Sequence, residues 1–160
     1  MPSSAKSVLV TAVRVVFVGL GVGIAALTAL ELASMPPPPP ESDGFAHGMA
    51  GLFGGLIILV TLGLAAVGVS LPALLGFDDP LGFDYRQRLV LKVSGVLVVG
   101  GLVAGLTYVL LAGFRYGVLV WFGLVVLASL AACATLVWRL GEALVVLVSR
   151  LGSAGLRALR

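Results

Sequence analysis

Four apolar runs, at residues 15–33, 49–71, 89–112 and 118–137, constrain this chain more than any other feature of it. Each is about 20 residues long, enough for a helix to cross a ~30 Å hydrocarbon core. The centre of every run lacks an ionisable side chain, as a lipid-embedded helix requires. Composition agrees: 60% of the 160 residues are hydrophobic and only 11% are charged, whereas a soluble domain carries roughly 25% charge. Mean hydropathy is +1.19, so water is the wrong solvent for this chain. The sequence therefore predicts an all-α integral membrane protein, one membrane domain over residues 1–160.

The punctuation between the runs sets the topology. Pro36 to Pro40 are five consecutive prolines; such a run ends a helix and takes the polyproline II form, a stiff spacer of about 15 Å at ~3.1 Å per residue. A docking role for a proline-reading partner is the weaker reading of the same residues. Gly76 to Lys92 is the long charged loop between the two hydrophobic halves, with Asp79-Pro80 as a turn signal. Asp84 followed three residues later by Gln87 is a capping pattern, placing the first turn of the third helix at Tyr85. Gly113 to Gly117 is a tight turn. The expected arrangement is four transmembrane helices as two hairpins. Beyond them, Leu140, Leu144, Leu147, Leu151, Ala154 and Ala158 recur every three or four residues opposite Arg139, Arg150 and Arg157. That spacing predicts a C-terminal amphipathic interfacial helix over about 139–160.

Orientation follows from the cations. Lys6, Arg14, Arg86, Arg88, Lys92, Arg139, Arg150, Arg157 and Arg160 fall on one side of the four runs, and Arg115 alone on the other. By the positive-inside rule, the expected location is the cell (plasma) membrane, multi-pass, with N- and C-termini cytoplasmic. Phe45, Tyr108, Phe114, Tyr116 and Trp121 then gather at the outer interface, and Phe77, Phe83, Tyr85 and Trp138 at the inner one. The start of the chain resembles a secretory signal, but its apolar stretch is too long and Glu31 stands where a cut after Ala33 wants a small residue. An uncleaved signal anchor is expected. The net charge of +3 comes from cations scattered singly at helix ends, so no nucleic-acid partner is expected.

Small residues at helical spacing are the commonest device within the runs. Gly19 with Gly23, Gly51 with Gly55 and Gly101 with Gly105 are GxxxG pairs; Ala66 with Ser70 and Ala128 with Ala132 are looser versions. Helices in lipid gain nothing from burying Leu against Leu, so close approach through such residues drives their association. These are the candidate helix-packing positions, within the chain or towards another one. Gly21-Val22-Gly23-Ile24-Ala25-Ala26 also fits a loosened dinucleotide pattern, but no βαβ unit surrounds it.

Candidate chemistry is sparse. Glu31, Glu41, Asp43 and His47 form a possible polar cluster at the outer mouth, readable as a proton or metal site or as interface residues meeting water and headgroups. Arg14 and Lys92 lie near the inner boundary, where long basic side chains snorkel to headgroups. A single histidine and a single cysteine, Cys133, leave no paired haem ligands and no internal disulfide. No catalytic residue, metal or cofactor is expected, nor an enzyme. The expected role is a small structural or accessory membrane protein. It is a subunit of a larger membrane complex or a membrane-organising or envelope protein, whose partners are the lipid bilayer and a second copy or a larger membrane protein. The alternative is a small oligomeric channel or transporter, with Ser70, Ser94, Thr107 and Thr135 as the few polar groups to line a path.

Overall fold

The computed structural model describes residues 4–40, 44–77, 81–113 and 116–158, and their side chains as far as Ser149 save those of Ser4, Ala112 and Tyr116. These residues form four helices, α1 (Ser4–Ser34), α2 (Phe45–Leu74), α3 (Tyr85–Ala112) and α4 (Tyr116–Ala158). All four are long and apolar enough to cross a membrane. At 1.5 Å per residue they measure about 46, 45, 42 and 64 Å. The apolar runs thus mark the central segments of the helices, which reach further.

Two boundaries differ from expectation. α1 begins at Ser4, well before Val15, because Ser4 to Arg14 contains neither glycine nor proline and continues the same helical register. α4 runs through Trp138 without interruption, since no helix-breaking residue lies at the expected junction near Arg139; Gly141 alone does not stop it. Among the described residues there is therefore no separate fifth helix. The side chains of Arg150, Arg157 and Arg160 lie outside the described part.

Local caps fix the turns. α3 starts at Tyr85 as its capping box requires: the Asp84 N–H donates to Gln87 Oε1 at 3.0 Å, and the Asp84 carboxylate accepts the Gln87 backbone N–H in return. α2 passes through Pro72 and stops within one turn. Gly76 then adopts φ 77°, and the Phe77 N–H donates to the Pro72 carbonyl at 3.0 Å, a Schellman closure that needs a left-handed residue. Met35 to Pro39 carry no helix, as the proline run demands.

α2 is the hub. It packs against α1, α3 and α4, whereas α1 packs against α2 alone. Each contact carries a glycine whose missing side chain admits a neighbour. Gly21 and Gly68 lie against Thr61 and Ala65, and against Phe17 and Val18, respectively, and Gly54 lies against Leu32, so α1 and α2 run antiparallel. Gly101 and Gly105 lie against Trp121 and Val125, so α3 and α4 are antiparallel too. Gly63 lies against Ser129, and Pro72 and Ala73 lie level with Leu136 and Leu140, so α2 and α4 run parallel.

The core follows the hub. Ala66, Val67, Ala73, Phe83, Leu91 and Ala132 form one buried cluster. Of the most apolar stretch of α2, 39% is buried inside the chain, against 11% of that of α1. Large apolar side chains such as Val96, Leu110 and Leu111 face outward, a surface suited to hydrocarbon.

Candidate functional site

The polar side chains that do position something collect where the loop after α2 meets α4. Arg139, near the middle of α4, donates from Nε to the Leu81 carbonyl at 2.6 Å. Its Nη1 pairs with Glu142 Oε2 at 2.8 Å, and the other carboxylate oxygen accepts from Trp138 Nε1 at 2.6 Å. One guanidinium thus fastens a backbone carbonyl and a carboxylate at once, which suits its planar fork. Gly82 sits beside the Arg139 guanidinium at φ 62°, a left-handed backbone that residues with a side chain rarely adopt. Arg88 donates from Nε to the Phe83 carbonyl at 2.9 Å, holding the other side of the same turn. Phe83, expected at the inner interface, is buried at 3% exposure because this turn folds back onto the core.

Beside this clamp lies a hollow of about 230 Å³ between α1, α2, the turn and α4. Arg14 is the one charged residue among the residues that line it; Val69, Pro72, Leu81, Phe83 and Leu136 supply most of the remaining wall. Arg14 is half-buried. Neither the Arg139 clamp nor the Arg14 hollow stands out in the sequence, although Arg139 and Glu142 at three-residue spacing hint at a pair.

The opposite end holds the outer polar candidates. His47 lines a hollow of about 540 Å³ with Met35, Gly44, Ala46 and the prolines Pro36 to Pro39. Glu31 is exposed and takes no part in that lining. Glu41 and Asp43 lie outside the described residues. Among the described residues, no three of His, Cys, Asp and Glu come close enough to hold a metal ion. A third hollow, of about 400 Å³, lies between α3 and α4, lined by Gly105, Tyr108, Gly117 and Trp121. The Trp121 indole donates across the interface to the Gly101 carbonyl at 3.1 Å.

The candidate packing glycines divide. Gly101 and Gly105 pack inside the chain, as do Ala66 with Ser70 and Ala128 with Ala132. Gly19, Gly23, Gly51 and Gly55 meet nothing among the described residues: a Cβ built on any of them has no such neighbour within 4 Å. Sequence reasoning did not name Gly21, Gly54, Gly63 or Gly68 as packing positions, yet they do the close packing.

The hydroxyl candidates turn inward on their own helices. Ser70 donates to the Val67 carbonyl, Thr107 to Val103 and Thr135 to Ala131, at 3.0, 2.8 and 2.8 Å. Ser94 is buried at 3% exposure. Ser129, missed in the sequence, is fully buried against Gly63, and its Oγ has no hydrogen-bond partner among the described residues. Searches of protein families, of curated proteins and of solved structures find no match to this chain.

Proposed function

We propose that this chain is a structural or accessory multi-pass protein of the cell membrane that works by assembling with a second copy or a larger membrane protein. Its four spans sit as two hairpins with both ends of the chain in the cytoplasm, in keeping with the distribution of Lys and Arg. The part of α4 beyond Glu142 adds 16 residues, about 24 Å, past the turn it clamps. Leu144, Val145 and Leu147 are exposed there, an apolar surface that a partner can cover.

One observation carries the assembly reading: two GxxxG pairs, Gly19 with Gly23 and Gly51 with Gly55, open outward onto empty space. Glycine in a helix interior is unfavourable by about 1 kcal/mol relative to alanine. Four such positions that relieve no crowding within the chain are accounted for by a neighbour helix that approaches closely there.

The decisive comparison is between the double variants Gly19→Leu/Gly23→Leu and Gly51→Leu/Gly55→Leu, each read by cross-linking in native membranes. At least one double variant is expected to abolish the cross-linked species while thermal melting of the single chain stays unchanged, since neither pair has an internal neighbour. A wild-type chain that runs as a single copy without partners, unaffected by either change, overturns the reading.

A further inference from the structure

We propose that the hollow beside Arg14 is a binding site for the phosphate end of an anionic lipid. The inference rests on the membrane reading above but not on assembly. Three observations carry it.

Arg14 is a cation facing apolar walls, with no ion pair or hydrogen bond to any described residue. Its basic neighbours are placed differently: Arg139 is engaged by Leu81 and Glu142, Arg88 by Phe83, and Lys92 is exposed. A half-buried guanidinium without an anion is costly in low-dielectric surroundings, so the hollow favours a negative guest.

The rest of the lining is apolar: Val69, Pro72, Leu81, Phe83 and Leu136 offer methyl, methylene and ring surface. A free hydrated anion would lose its water against those walls and find one donor group in return. An anion joined to an alkyl chain matches both parts of the site. The volume of about 230 Å³ is below the ~300 Å³ at which pockets begin to enclose whole drug-sized ligands. The site therefore takes the phosphate and its nearest carbons, leaving the chains outside.

Position is the third point. Arg14 lies level with Pro72 and Leu136, where the apolar spans give way to the charged turn. That is the depth at which basic side chains meet lipid phosphates.

The test uses the full chain in detergent, offered phosphatidylglycerol or phosphatidylcholine of equal chain length, with bound lipid read by native mass spectrometry. Phosphatidylglycerol is expected to be retained roughly tenfold better, with Arg14→Gln removing the preference and Arg14→Lys keeping part of it. Lys92→Gln, outside the hollow, is expected to change nothing. Val69→Phe fills the hollow without touching the charge and is expected to lower retention as well, which keeps the test decisive should Arg14→Gln fail to fold. Equal retention of both lipids overturns the proposal, as does an equal loss for Arg14→Gln and Lys92→Gln, or indifference to Val69→Phe. Complete displacement by millimolar inorganic phosphate marks a free-anion site and overturns it too. A chain that is monodisperse without detergent instead removes the membrane reading on which both proposals stand.

Discussion

Where α2 meets α4 a glycine is a necessity; on the outward side of α1 it is an opening. At Gly63 an added methyl overlaps the Ser129 side chain and backbone, and at Gly19 it meets nothing within 4 Å. The two positions are chemically identical and both lie within apolar runs. What separates them is rotation about the helix axis, and with it the question of whether the residue serves this chain's fold or its contacts with other molecules. The same contrast appears in burial, which is concentrated on α2 and almost absent from α1.

The largest effect is expected at Gly63→Ala. Overpacking a filled seam costs about 1–3 kcal/mol, and here the obstacle includes the Ser129 Cα, which cannot swing away. Chemical denaturation in mixed micelles measures the loss. Adding Ser129→Ala to this variant is expected not to restore stability, because the Cβ and backbone remain. An unchanged midpoint for Gly63→Ala would show the seam to be looser than described.

Arg139→Ala comes next. It removes a charge-assisted bond to the Leu81 carbonyl, at an expected cost of about 1.5 kcal/mol, the low end for such bonds because the side chain retains some solvent contact; the exposed Glu142 pair goes with it. Hydrogen exchange in the turn around Leu81 is expected to rise while that of α1 does not, which separates the clamped end from the thinly packed helix.

The smallest effect carries the opposite sign. Ser129→Ala deletes a buried hydroxyl with no partner and is expected to stabilise the chain by about 1 kcal/mol. A loss of stability instead would mean that Ser129 Oγ has found an acceptor, and that the seam admits a second arrangement.

The number of long apolar helices was legible from the sequence because run length alone decides it. The start of α3 was legible because Asp84 and Gln87 state it locally. Which glycines face inward was not. In a soluble helix the polar face reveals the rotation, but here both faces are apolar and the pattern carries no sign of direction. So Gly19, Gly23, Gly51 and Gly55 have the motif without an internal contact, while Gly63 has the contact without the motif. The reach of α1 and α4 beyond the apolar runs was missed for a related reason: helical propensity continues where hydrophobicity fades. The Arg14 hollow is assembled from residues far apart in sequence and has no local signal at all.

The bond from Arg139 to Leu81 spans 58 positions, and this separation has a consequence in time. A ribosome adding about 5–20 residues each second delivers Arg139 roughly 3–12 s after Leu81. Throughout that interval the 81–83 turn has the Arg88 bond to Phe83 but not the Arg139 clamp, which the arrival of α4 adds. α4 thus completes the middle of the molecule only after the helices it fastens have been made.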